Sequence, residues 1–129
     1  MKRIVLMLAA VLCLAFAAGA KSGKSGEISF KVKVHDFGYI QEDKGPVSYD
    51  FEFTNVGKTP LMISSARAQC GCTRPEFPKQ PIRPGEKGKI KVTYVPKGRP
   101  GSFEKTVEVR TSNNRVVLRI KGTVIPSKK

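Results

Sequence analysis

Apolar and polar residues alternate along most of the chain between residues 28 and 125. This period of two residues is typical of strands with one buried and one exposed face, because successive side chains of a strand point to opposite sides. No segment of this region shows a sustained helical period. The alternating runs predict strands over Ile28–Val34, Val47–Phe53, Leu61–Ile63, Lys89–Tyr94, Phe103–Thr111 and Val116–Ile125.

Residues typical of turns separate these runs. The turn segments are Lys44–Pro46, Asn55–Lys58, Arg83–Gly85, Pro96–Gly98 and Ser112–Asn114. About seven strands with short turns in about 100 residues indicate an all-β, immunoglobulin-like β-sandwich, with a small barrel as the alternative. The last run favours the sandwich, because its apolar residues occupy one phase of the alternation and its basic residues the other.

The first 20 residues have the three zones of a secretory signal peptide. Lys2 and Arg3 precede an uncharged apolar run of 13 residues, Ile4–Phe16, and small residues follow as far as Ala20. A retained membrane anchor is disfavoured, because a bilayer-spanning helix needs about 20 apolar residues. Cys13 is rejected as a lipidation site, because it lies inside the apolar run and no small residue precedes it. We therefore expect cleavage after Ala20 and export to the periplasm or beyond.

We expect the chain that remains after cleavage to form a single domain and to have no membrane span. We predict a flexible lead-in over residues 21–27, a folded domain over residues 28–125 and a tail over residues 126–129. Removing Lys2 and Arg3 lowers the formal net charge from +14 to +12, and removing Cys13 leaves two cysteines of the original three. So few cysteines require an apolar core rather than a disulfide scaffold.

The two remaining cysteines form the run Cys70-Gly71-Cys72. On an extended strand both side chains would share a face with their Cα atoms about 6.6 Å apart, near the upper limit for a disulfide. One interpretation is structural, with semi-buried or bridged cysteines at a bend between strands. The alternatives are a strained, redox-active pair, or two thiolates that hold a soft ion such as Cu(I). We expect the protein to have no cofactor.

Basic residues fall mostly on the polar phase of the strands, so one sheet face is predicted to be cationic. Such a face attracts anionic partners through a field that salt screens. The expected partner is a protein or an anionic envelope component; nucleic acid is disfavoured by the export signal and the lack of interleaved aromatic residues. The alternative is that these charges only protect strand edges and maintain solubility. The residues assigned to the face are Lys31, Lys33, Lys89, Lys91, Arg119 and Lys121.

The chain offers little for catalysis. Its single histidine, His35, precedes Asp36, but consecutive strand residues face opposite sides and do not form a catalytic pair. We expect His35 to lie at a strand end and to hydrogen-bond the turn at Phe37–Gly38. No phosphate-binding glycine loop and no catalytic carboxylate pair is recognisable. The sequence therefore predicts a protein that is not an enzyme.

Several motifs occur in the order known from one family: HDFGYI from His35, FEFTNVG from Phe51, PLMI from Pro60, CGCT from Cys70, PIRPGEKG from Pro81 and IKG from Ile120. The chain resembles a bacterial secreted family of unknown function, common among Bacteroidetes, with an HDFG…FTNxG…CGCT…PIxPGE signature. Gln69 departs from the serine usual in that family. The resemblance implies a sandwich of seven or eight strands similar to Hydin-type and PapD-like immunoglobulin domains, which act in binding or assembly.

Together these observations predict an exported, non-catalytic binding or assembly module of the bacterial envelope. The alternative is a metal-handling or redox-responsive protein that uses Cys70 and Cys72. A strand edge is one route by which a sandwich binds an extended peptide.

Overall fold

The computed structural model describes residues 27–128. The predicted signal peptide, Cys13 and the lead-in as far as residue 26 lie outside the described residues. The described part contains eight strands and one short 3₁₀ helix, Glu42–Lys44. No helix in it has the length and apolarity needed to cross a bilayer. The strands are β1 (Ile28–Phe30), β2 (Val34–Gln41), β3 (Val47–Asn55), β4 (Ile63–Ala68), β5 (Thr73–Glu76), β6 (Lys87–Tyr94), β7 (Gly101–Thr111) and β8 (Arg115–Ile125).

The strands form two sheets of four, which confirms the predicted all-β sandwich. The first sheet has the order β1-β3-β6-β5 and is antiparallel throughout. The second has the order β2-β8-β7-β4, with β2 parallel to β8 and the other pairs antiparallel. Each of the first four strands is followed by a strand of the other sheet, β5 and β6 share a sheet, and β6 and β7 again belong to different sheets. The chain therefore crosses between the sheets five times.

The core lies between the inner faces of the two sheets, where the apolar phase of each strand is buried. Phe51, Ile90 and Val92 of the first sheet are completely buried, as are Val109 and Leu118 of the second. Burying a side chain of this size stabilises the fold by roughly 1.5–3 kcal/mol. The period of two in the sequence therefore arises because each strand has one face in the core between the two sheets and one face in solvent.

The run Ile28–Val34, predicted as one strand, is divided between the two sheets. Ile28 and Phe30 are buried in β1, but Val32 and Val34 are 41% and 48% exposed. The chain leaves the first sheet after Phe30 and joins the edge of the second sheet at Val34. The alternation continues through this crossover, so the pattern alone does not reveal the change of sheet.

Candidate functional site

The six basic residues assigned to one cationic face do not share a face. Lys89 and Lys91 lie on β6 in the first sheet, whereas Arg119 and Lys121 lie on β8 in the second. Exposed side chains of the two sheets point to opposite outer surfaces of a sandwich. Lys31 and Lys33 lie in the crossover between β1 and β2; the Lys31 N–H donates to Glu52 O, and the Arg119 N–H donates to Lys33 O. The predicted single face is therefore wrong as a geometric assignment.

Acidic residues lie beside most of these basic residues on each outer surface. In the first sheet, Lys89 is paired with Glu52 in the strand register and its Nζ lies 3.6 Å from Asp50 Oδ2. In the second sheet, Arg119 Nη1 donates to Glu104 Oε1 at 2.7 Å, and Lys121 is paired with the same glutamate in the register. These exposed pairs contribute little to stability, but they offset much of the local positive charge.

A different cluster carries unbalanced charge on the outer surface of the second sheet, and we call it the arginine cluster: Arg67 of β4, Glu108 and Arg110 of β7, and Arg115 of β8. Arg110 donates to Glu108 through Nε, and Arg115 Nη2 lies 2.8 Å from the second oxygen of the same carboxylate. The hydrogen bond from Arg110 is the main cause of the lowered pKa of Glu108, so this carboxylate stays ionised.

Arg67 lies directly opposite Glu108 in the β4–β7 register. Both oxygens of Glu108 are already bonded by the other two arginines, and no ion pair among residues 27–128 includes Arg67. Arg67 and Arg115 are not among the basic residues that the sequence pattern assigns to a cationic face. Their placement on alternating polar positions gave only a weak signal, because a position in the alternation does not say which strands are neighbours.

Strand β4 is also the least protected edge in the described part of the chain. Among the other edge strands, β1 has three residues, β5 contains Pro75, which has no N–H, and β2 has an irregular register after Asp36. Such features discourage the pairing of another strand. In β4 the register shift follows Ile63 at the start of the strand, and Ser65–Ala68 pair regularly with β7.

The ladder also shows which backbone groups of β4 face the open side. Gln69, just beyond β4, donates its N–H to Thr106 O at 3.1 Å. Hydrogen-bonded and non-hydrogen-bonded pairs alternate along an antiparallel ladder. Arg67 therefore exchanges hydrogen bonds with β7, whereas the backbone N–H and C=O groups of Ala66 and Ala68 point away from it. The open edge thus presents two residues that are ready to pair with an added strand.

Cys70 and Cys72 lie in the tight connection between β4 and β5, which crosses from one sheet to the other. They are joined by a disulfide, and their Cα atoms are 5.3 Å apart. Cys72 is buried in the core and Cys70 is partly buried against it. The Cys72 carbonyl accepts the Val95 N–H at 2.9 Å, which attaches the connection to the loop after β6. The extended geometry considered from sequence is therefore replaced by a turn.

This environment bears on the three interpretations of the cysteines. The bridge closes the crossover next to the edge strand β4, which is the structural role considered from sequence. Residues 27–128 contain no group of three or more His, Cys, Asp or Glu side chains placed to hold a metal ion. A redox-responsive or metal-handling role for Cys70 and Cys72 stays a prediction.

His35 is part of an aromatic cluster between the sheets rather than a partner of the following turn. Its ring stacks on Tyr49 of β3 with centroids 3.7 Å apart, and Phe37 meets it edge-on at 4.6 Å. Asp36 accepts the Gly38 N–H at 2.8 Å and so makes the contact expected of the histidine. His35 and Asp36 face opposite sides, as the alternation predicts.

The environment of His35 makes the stability dependent on pH. Burial lowers the pKa of His35 below its ordinary value of 6.5, although the charge of Asp36 acts in the opposite direction. The unfolded chain therefore binds a proton more readily than the native protein, and stability is lost as the pH falls below about 6.5. We expect His35→Phe to remove part of the decrease in unfolding free energy between about pH 7.5 and 5.5, as measured by urea titration. Identical pH profiles for the two proteins would contradict this assignment.

Solved structures with the same fold come from proteins of different kinds. A protein of unknown function from Porphyromonas gingivalis W83 is 15% identical with a TM-score of 0.66, over 83% of this chain and 51% of that one. The PapD-like domain 7 of human CEP192 is 16% identical with a TM-score of 0.61, over 81% and 89%. The YadV chaperone is 16% identical with a TM-score of 0.52, over 78% and 52%. Identities this low show a shared fold alone.

This chain spans about half the length of the Porphyromonas gingivalis protein. Among curated proteins, none matches the sequence. The motif signature and the secreted bacterial setting of the expected family stay predictions, whereas membership in a family of unknown function is directly supported. A family model described as a protein of unknown function, DUF1573, matches residues 28–124, and the chain therefore belongs to this family.

Proposed function

We propose that this protein is an exported, non-catalytic binding module that holds an extended segment of a partner protein along strand β4. Export rests on the zones of residues 1–20, with their basic start, apolar run and small residues before Lys21. Binding without catalysis is supported by the similarity to a PapD-like domain and to a protein described as a chaperone. Fold does not determine function, so the proposal depends on the geometry of one edge.

The observation that carries the proposal is the open side of β4. Within residues 27–128 this strand pairs only with β7, and Ala66 and Ala68 direct their backbone groups outward. A peptide in extended conformation would pair with these groups and gain main-chain hydrogen bonds, the mode of recognition known as β-strand addition. Specificity would then come from alternate side chains of the added strand.

A proline in place of Ala66 tests this directly. The outward N–H of residue 66 is not needed for the ladder with β7, so an edge proline here is compatible with folding. Peptides selected by the wild-type protein from a displayed random library should bind Ala66→Pro about tenfold more weakly or worse, because a hydrogen bond is lost and the ring obstructs the edge. Fluorescence anisotropy of the labelled peptides gives the affinities.

The matched control is Ala66→Ser, which keeps the N–H and the small side chain and should bind as the wild type does. Circular dichroism and urea unfolding verify that Ala66→Pro remains folded. Failure of the wild type to enrich any peptide would contradict the proposed function. Equal binding by folded Ala66→Pro would contradict the assignment to β4.

A further inference from the structure

We infer that the segment bound along β4 is acidic, with a carboxylate side chain placed opposite Arg67. This inference rests on the proposed function and identifies the chemical class of the partner. Arg67 lies in the regular part of β4, between Ala66 and Ala68, whose backbone groups face the open edge. Its side chain is exposed on the outer surface of the second sheet.

The geometry of an added antiparallel strand brings its side chains close to Arg67. Because Arg67 exchanges hydrogen bonds with β7, it would form a non-hydrogen-bonded pair with the residue opposite it on the added strand. Side chains in such pairs are the closest across an antiparallel ladder, with Cα atoms about 4.5 Å apart. Opposite charges in this arrangement attract and like charges repel.

The charges around Arg67 select an acidic rather than a neutral or basic residue. Arg67, Arg110 and Arg115 surround a single carboxylate, Glu108, so the arginine cluster has a net charge of +2. Arg110 and Arg115 are also directly paired across β7 and β8, an arrangement of like charges that Glu108 offsets. A second carboxylate beside Arg67 would balance the remaining charge, and guanidinium groups suit bidentate carboxylate binding.

The other edges lack this combination of an open ladder and an unpaired arginine. Arg74 lies on β5, but that strand contains Pro75 at its centre. Lys91 belongs to the interior strand β6, where Asp50 and Glu76 flank it in the register, so it offers no unbalanced charge beside the β5 edge. An acidic extended segment therefore fits the β4 edge better than any other edge within residues 27–128.

The test compares two synthetic peptides of alternating threonine and valine, one with a central glutamate and the other with glutamine at the same position. We expect the glutamate peptide to bind the wild-type protein about fivefold more tightly at low ionic strength, as a favourable cross-strand charge pair provides. The preference should disappear in Arg67→Gln and shrink strongly at about 0.5 M salt, because exposed charges are screened.

Arg74→Gln is the matched control, since it removes an exposed arginine from the neighbouring edge and should keep the preference. Equal affinities of both peptides for the wild type, or a preference that survives in Arg67→Gln, would overturn the acidic partner while leaving strand addition in place. No binding of either peptide, together with no enrichment from the random library, would instead contradict the proposed function itself.

Discussion

Replacing Asn55 with alanine is expected to lower the free energy of unfolding by about 3 kcal/mol. The side chain is completely buried at the end of β3. Its Nδ2 donates to the carbonyls of Thr59 and Ile82, both at 2.8 Å, and its Oδ1 accepts the Gly57 N–H at 2.9 Å. Alanine leaves these backbone groups without the amide, and an unsatisfied buried polar group costs about 1–3 kcal/mol.

The effect should be large because Asn55 joins two loops that are distant in sequence. Gly57 and Thr59 belong to the loop after β3, whereas Ile82 belongs to the loop before β6. Ile82 also exchanges two backbone hydrogen bonds with Leu61, which is buried in the core. Losing the amide therefore weakens the whole end of the sandwich rather than one turn.

Urea unfolding of the purified domain measures this change. Gln80→Ala is the matched control, because it removes an exposed amide from one of the same loops and should change the stability by less than about 0.5 kcal/mol. A loss below about 1 kcal/mol in Asn55→Ala would show that the loops hold together without the side chain.

Adding a single methyl group at Gly122 is expected to destabilise the protein by about 2 kcal/mol. Gly122 lies on β8, and a Cβ atom there would lie 2.9 Å from the carbonyl oxygen of Gly38 and 2.9 Å from Cζ of Phe103. The first neighbour is main chain of β2. The second is a buried ring stacked on Tyr94 with centroids 3.9 Å apart. Neither neighbour can retreat without cost, so the methyl group forces β2 away from the sheet.

Two measurements test the Gly122→Ala variant. Urea unfolding gives its stability. Hydrogen exchange should show that the substitution accelerates exchange of the β2 amides relative to the wild type, and that it accelerates exchange of the β6 amides less. Gly71→Ala is the matched control, because a Cβ atom there would have no neighbour within 4 Å. If Gly122→Ala proves as stable as this control, then β2 does not depend on the close approach of its backbone to β8.

At the candidate site, the alternation of apolar and polar residues predicts which side chains are exposed but not which of them share a surface. It correctly marked Lys89, Lys91, Arg119 and Lys121 as exposed strand residues. It combined them on one face, because a period of two separates inside from outside but does not assign a strand to a sheet. Arg67 was missed for the same reason, since its significance depends on Glu108, a residue 41 positions away that only the β4–β7 register brings opposite it.

The contacts of His35 and of the two cysteines also depend on residues that are distant in the sequence. The sequence indicated that Cys70 and Cys72 could meet, because they are two residues apart, but the turn that joins them depends on contacts with the loop after β6. His35 was expected to bond to its own turn, and the stack with Tyr49 was not foreseen. That stack joins strands of different sheets, and local propensity contains no information on such a contact.

Local pattern thus decides the all-β class of this protein: it shows which residues form strands and which side of each strand is apolar. These properties depend on neighbours one or two positions apart, so they are readable from the chain. The division of Ile28–Val34 between two sheets, the open edge of β4 and the unbalanced charge around Arg67 depend on which strands pair. Pairing is a long-range choice made by the packing of the whole core, and only the tertiary structure reveals it.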